Sequence, residues 1–297
     1  MNKLILLLSF SCLLFSCSKD LSPANKSVVN YTGLLDSVAY FADTTNTITQ
    51  AAYLKFSYDS LKRIKKMQVY DRHFFFTYND SSVNPYQMVD SFYNVNAPNC
   101  PVIQKYNFLY DGNGKKIKDS IFAYYQRNLS ANTVSYSQPV IAVRNYTHGS
   151  NSTTSLTKGS FLSPDYFYYN SDGDVTNYII HSGGDQFNAY PSYYTVENPF
   201  HQLNVRNCIA EMYLFLAYQF YPLSVDPCMS KHHFKTMTGN NALIYIVRPN
   251  EQIFSTSSYT LNTENKVVTW RFITTYFYNN VQLSNITGAT MKFFYHP

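Results

Sequence analysis

Glutamate is scarce, with four in 297 residues, and only 14% of the chain is charged. Glycosidase-type chemistry needs two facing carboxylates, and many of the aspartates stand at turn positions where local capping accounts for them. Ten glycines beside 18% aromatic residues exclude a disordered or collagen-like chain. There is no Gly-x-Ser-x-Gly elbow. The cysteines and histidines show neither Cys-x-x-Cys nor His-x₃-His spacing for zinc. No catalytic residue, metal or cofactor is expected on these grounds. The net charge is +5. Basic residues cluster only at Lys62-Arg63-Lys65-Lys66 and Lys115-Lys116-Lys118. Both runs follow turns, so solvated hairpin tips are expected rather than a nucleic-acid surface.

What the chain does have is a recurring hairpin. Tyr110-Asp111-Gly112-Asn113-Gly114-Lys115-Lys116-Ile117 lies between apolar-rich arms. Asp111 can bond the backbone two residues on, and Gly114 can take the left-handed conformation that closes a type I turn with a bulge. Looser copies follow Tyr58-Asp59, Tyr169-Asn170 and Leu261-Asn262. Their third residues on are Lys62, Gly173 and Asn265, and Lys62 is the poorest fit to positive φ. Tyr78-Asn79 opens a fifth copy with a longer loop. The arms alternate as strands do. Leu54, Phe56 and Tyr58 share one face, with Tyr53, Lys55 and Ser57 on the other.

This pattern of an aromatic residue, Asp or Asn, a polar turn and an aliphatic residue resembles the YD (RHS-type) repeat. It is more similar to the degenerate repeats of exported lipoproteins from Gram-negative gut bacteria, over about residues 50–297. The resemblance implies a mainly β fold, a large twisted antiparallel sheet of repeated hairpins, and attaches no catalytic residues to it.

Residues 1–16 have the order of an export signal: Lys3, an apolar run too short to span a bilayer, and Leu14-Phe15-Ser16 before Cys17. Leu-x-Ser-Cys resembles a bacterial lipobox, which implies cleavage before Cys17 and lipid attachment there. Ser18 lacks the aspartate that resembles an inner-membrane retention signal, which favours the outer membrane, facing the periplasm or the surface. Residues 17–30 are polar and form a flexible tether. Residues 31–297 are expected to be one β domain, with no linker inside it.

An insertion at about residues 198–240 breaks the strand rhythm. Asn198-Pro199 resembles a helix start. Val205, Cys208, Ile209, Met212, Phe215, Leu216 and Phe220 then recur at helical spacing, so one helix packed on the sheet is expected within residues 199–220. In an oxidising compartment Cys208 and Cys228 are the preferred disulfide pair, closing this insertion.

Two functions remain. The first is a binding or scaffold module for a glycan or an envelope protein, held to the membrane by the N-terminal lipid. Its candidate surface is aromatic: Tyr166, Tyr168, Tyr193, Tyr194 and Trp270. The second is an envelope hydrolase with a site near the insertion.

Overall fold

The computed structural model describes residues 30–44, 47–69, 72–94, 97–124, 140–158, 165–182, 185–206, 230–240, 251–279 and 281–297. The chain divides into Met1–Tyr31 and Thr32–Pro297, and the fold described is that of the second unit. Its strands are β1 (Leu35–Thr44), β2 (Thr47–Tyr58), β3 (Ile64–Val69), β4 (Arg72–Thr77), β5 (Gln87–Asn94), β6 (Ala97–Tyr110), β7 (Lys116–Tyr124) and β8 (Val140–His148). They continue as β9 (Ser152–Lys158), β10 (Asp165–Tyr169), β11 (Val175–Ser182), β12 (Asp185–Glu197), β13 (His232–Asn240), β14 (Glu251–Leu261), β15 (Val267–Tyr278) and β16 (Val281–Tyr295). Each pairs antiparallel with its sequence neighbours, and β1 pairs with β16, so the sheet is a closed barrel. The expected mainly β, antiparallel hairpin architecture is present. The large twisted antiparallel sheet closes on itself as a barrel, which leaves no edge with unpaired backbone groups.

Alternation along each strand separates two faces. Across β2 and β3, Leu54 stands opposite Val69 and Phe56 opposite Met67, while Lys55 meets Gln68 and Ser57 meets Lys66. The first set is buried, with Phe56 at 1% and Met67 at 0% exposure. Val38, Tyr40, Phe74, Trp270, Phe272 and Met291 join it in one core inside the barrel. The outer face is mixed: charged and polar residues such as Lys55, Ser57 and Lys66 alternate around it with exposed Phe75, Leu109, Tyr190 and Phe294.

The recurring hairpins all close the same end of the barrel. Asp59, Asp111, Asn170 and Asn262 each accept, through Oδ1, the backbone N–H groups two and four residues on. The residue three on has positive φ in every case: Lys62 at 60°, Gly114 at 75°, Gly173 at 89° and Asn265 at 60°. A register shift follows at the end of each preceding strand, the bulge that such turns produce. The fifth copy closes differently: Ser82 donates to the Asn79 carbonyl, and Asp80 takes the positive φ, at 36°.

The aromatic residue of three motif copies, Tyr58, Tyr78 and Tyr110, has a second task that Tyr193 and Tyr295 share from outside the motif. Tyr58, Tyr78, Tyr110, Tyr193 and Tyr295 donate their hydroxyls to the carbonyls of Leu35, Ile64, Pro85, Val175 and Val267, at 2.6, 2.7, 2.9, 2.9 and 2.9 Å. Each acceptor lies at or just before the start of the strand preceding the one that carries the tyrosine. His148, at the end of β8, makes the equivalent bond to the carbonyl of Lys116, the first residue of β7, at 2.7 Å. These rings latch successive strand pairs around the mouth. Burial raises the Tyr58 and Tyr295 hydroxyls above the usual tyrosine range, with Asp36 adding to the effect at Tyr58.

The connection from β12 to β13 seals this mouth. Phe200, Leu203 and Val205 belong to the core, at 4%, 5% and 0% exposure. Asn204 accepts from the Ile64 N–H and donates to the Tyr78 hydroxyl and the Val83 carbonyl. The expected helix is not supported among the described residues, and most of its helical spacing, Cys208 to Phe220, falls outside them. Residues 199–205 form turns, Arg206 has helical backbone, residues 207–229 lie outside the described residues, and residues 232–240 are β13. Pro199 at a turn start served a turn, and Asn198 Oδ1 caps it by accepting the Phe200 N–H.

These turns predict opposite signs at equivalent positions. A Cβ on Gly173 meets nothing nearer than Lys231 Cβ at 3.9 Å, so the cost of Gly173→Val is backbone strain, about 1–3 kcal/mol. Lys62→Gly relieves the same conformation and is expected to be neutral or stabilising. Thermal unfolding of both variants measures the pair; a harmless Gly173→Val breaks the equivalence.

Candidate functional site

Two places concentrate chemistry-bearing side chains: the sealed mouth and the outer face of β10–β14. At the mouth, Asp174 is 3% exposed and receives two bonds from His232. The His232 backbone N–H reaches Oδ1 and its Nδ1–H reaches Oδ2, both at 2.7 Å. Ser230 lies two residues earlier, so serine, histidine and aspartate converge. The serine, however, is only 1% exposed. Its hydroxyl donates to the Tyr193 hydroxyl at 2.7 Å and accepts the Val175 N–H at 3.1 Å. A nucleophile needs a free face and a base at its proton. This hydroxyl serves the latch of Tyr193 instead, and Asn198 Nδ2 holds the Ser230 carbonyl at 3.2 Å. The cluster ties the β12–β13 connection to the β10–β11 hairpin, and the hydrolase alternative gains no support from it.

His201 packs under Arg206, whose Nη1 donates to the ring Nε2 at 2.8 Å and to the His201 carbonyl at 3.0 Å. Burial, then the Arg206 charge, lowers its pKa to about 4. His233 points into the core from β13 at 3% exposure, stacked on Tyr259 and tilted against Trp270 at 4.9 Å between centroids. Burial lowers its pKa to about 3. Elsewhere inside the barrel, Arg72 Nε donates to Asp90 Oδ1 at 2.7 Å, and its Nη2 pairs with Oδ2. Burial raises the Asp90 carboxyl despite that pairing. Lys116 is buried beside Asp119, 3.5 Å away, and the Tyr146 hydroxyl donates to the same carboxylate at 2.8 Å. The cluster at residues 115–118 is therefore not wholly a solvated tip: Lys116 is 5% exposed and lies over the Tyr146 ring at 4.4 Å. Among the described residues, no group of three His, Cys, Asp or Glu side chains is placed to hold a metal.

The candidate aromatic surface does not come together as one platform. Trp270 is 1% exposed and is a core residue beside Phe272. Tyr193 is a mouth latch. Tyr194 donates to the Ser257 carbonyl at 2.6 Å and meets Tyr259 edge-on at 4.7 Å. Tyr166 and Tyr168, two apart on β10, do face outward, and Tyr168 is 39% exposed. The rings that share the outer face with them are Tyr190 on β12, 54% exposed, and Phe254 on β14, 39% exposed. Their positions depend on the register of five strands, so the local pattern shows only that each alternates with polar neighbours. Cys208 and Cys228 lie outside the described residues, as does Cys17.

No protein-family model matches the chain. No curated protein matches it. Among solved structures it is similar to a porin-like protein from Bacteroides uniformis ATCC 8492, at 9% identity and a TM-score of 0.41 over 89% of this chain and 98% of the other. It is also similar to a porin-like protein from Bacteroides vulgatus ATCC 8482, at 11% identity and a TM-score of 0.44 over 89% of this chain and 99% of the other. Likeness at that level assigns neither an activity nor a location.

The two buried imidazoles set an acid limit on stability. Both folded values lie below the ordinary 6.5, so the unfolded chain binds protons first as pH falls. Their contribution is complete above pH 6.5 and is lost progressively toward about pH 4 for His201 and about pH 3 for His233. Thermal unfolding from pH 7.5 to 4.5 should show a falling midpoint, and His233→Phe should flatten the fall. An unchanged acid sensitivity in that variant counts against His233 as a source.

Proposed function

We propose that this is a lipid-anchored envelope protein whose barrel stands in water and works as a binding module for a glycan or an envelope-protein partner. The observation that carries this is the sense of the barrel's amphipathicity. A membrane-spanning barrel is apolar outside and polar within. Here Phe56, Met67, Phe74, Trp270 and Phe272 face the inside, beside the Arg72–Asp90 pair, and Lys55, Lys66, Lys118, Arg271 and Lys292 stand among the exposed rings of the outer face, from the same registers.

Strand length varies around the barrel, from 5 residues in β10 to 15 in β16, and its shortest hairpin bears on the same question. β3 and β4 have six residues each, with only residues 70 and 71 between them. Six residues reach about 20 Å before any tilt, whereas a spanning strand needs roughly 9–11. No described helix is long and apolar enough to cross a membrane either. Attachment is by the lipid at Cys17, the residue that the lipobox-like sequence marks, with residues 17–30 as the tether. The sealed mouth speaks for a binder rather than a conduit, because Phe200, Leu203 and Val205 occupy the interior at that end. The outer membrane is the location that the lipobox-like Leu14-Phe15-Ser16-Cys17-Ser18 favours.

Residues 18–297 expressed without the signal should fold and remain monodisperse in detergent-free buffer. In the full chain, Cys17→Ala should abolish incorporation of labelled lipid and release the protein from membranes. A domain that folds only in micelles overturns the water-exposed barrel, and an unchanged label overturns the anchor.

A further inference from the structure

We propose that the outer face of β10–β14 binds a single extended β-1,4-linked glycan chain, lying across the strands. This rests on the binding-module reading and names its ligand class. The register strings one row over five strands: Tyr168 opposite Asn177, then Tyr190, which the β11–β12 register reaches one step beyond its last pair, Tyr178 with Ala189, then Thr238, then Phe254. A ring stands on every second strand, and an amide or hydroxyl stands between.

Neighbouring strands lie about 4.8 Å apart, so rings two strands apart are about 10 Å apart. Successive units of a β-1,4-linked chain are turned over relative to one another. Every second unit therefore presents the same face, at close to that spacing. Three rings would each take one such face by stacking, and the exposed Thr238 would meet hydroxyl groups of a unit between. An α-1,4-linked chain coils and offers no such straight row of faces.

The rings are also open. Elsewhere on the outer face Phe75 lies under Lys66 at 5.7 Å and Phe41 under Lys292 at 5.1 Å. Among the described residues no cation covers Tyr168, Tyr190 or Phe254. The row spans four steps of a sixteen-strand closed sheet, so it bends with the barrel. A bent row suits one flexible chain and not the flat face of a crystalline polymer.

Titration calorimetry on the water-soluble domain tests this with gluco-, xylo- and chito-oligosaccharides of two to eight β-1,4-linked units, and with maltohexaose. Affinity for at least one β-linked series should rise with length and level off near five or six units. Tyr190→Ala should weaken it about tenfold, as should Phe254→Ala, and Arg271→Ala should leave it unchanged. Since the substituted rings are exposed, circular dichroism should show every variant folded. No binding to any β-linked hexasaccharide, equal binding of maltohexaose, or binding indifferent to Tyr190→Ala overturns the proposal. So does a change of oligomeric state in Tyr190→Ala, which would make the row a contact between copies. The water-exposed barrel is judged separately by its behaviour without detergent, so the ligand class can fail while that reading stands.

Discussion

A closed sheet of sixteen strands encloses more space than its own inward side chains fill, and that constraint governs the rest of the structure. Where such a barrel holds water it can carry polar side chains inside. Here most described inward positions are Leu, Phe, Met and Trp, with the Arg72–Asp90 pair and His233 among them, and the apolar ones need neighbours on every side to gain from burial. The β12–β13 connection supplies part of that filling by turning Phe200, Leu203 and Val205 into the interior. Its own polar groups must then be satisfied away from water. Asn204 and Asn198 do this, bonding to Ile64, Tyr78, Val83, Phe200 and Ser230.

The same constraint explains why polar contacts concentrate at one rim. Inward-facing strands approach the rim with backbone groups that have left the ladder. The tyrosine latches take up carbonyls there, and the Asp or Asn of each turn takes up amides. One dipeptide, aromatic then Asx, therefore does two jobs: Tyr58-Asp59 and Tyr110-Asp111 hold a strand start and a turn at once.

That dipeptide is why much of the fold was legible in the sequence. The turn residues announce themselves locally, down to the strained Lys62, and the alternation of Leu54, Phe56 and Tyr58 gives the buried face. Closure was not legible, since pairing of β1 with β16 joins residues about 250 apart and leaves no local mark. The insertion can be compared only at its start, since residues 207–229 lie outside the described residues. Asn-Pro opens turns as readily as helices, and apolar residues at Phe200, Leu203 and Val205 suit burial in either form. Of the aromatic surface, Tyr168 was found and Trp270 was misplaced. Both stand in strands rich in aromatics, where periodicity assigns alternate residues to two faces without saying which face is wet. The Tyr190 and Phe254 partners of Tyr168 come from cross-strand register, which is a property of the closed sheet and not of any one segment.

The pairing of β1 with β16 has a consequence for biogenesis. Gly33 donates to the His296 carbonyl, and His296 donates to the Leu34 carbonyl, so the first and last parts of the barrel are stitched together at the rim. A chain that crosses a membrane N-terminus first brings β1 out early and β16 last. Until β16 emerges, β1 keeps an unsatisfied edge, able to pair with any passing strand. Such a topology places its slowest, most non-local contact at the end of assembly. A nascent barrel of this kind stays open until its last strand arrives, and its readiness to aggregate is decided by the timing of that strand.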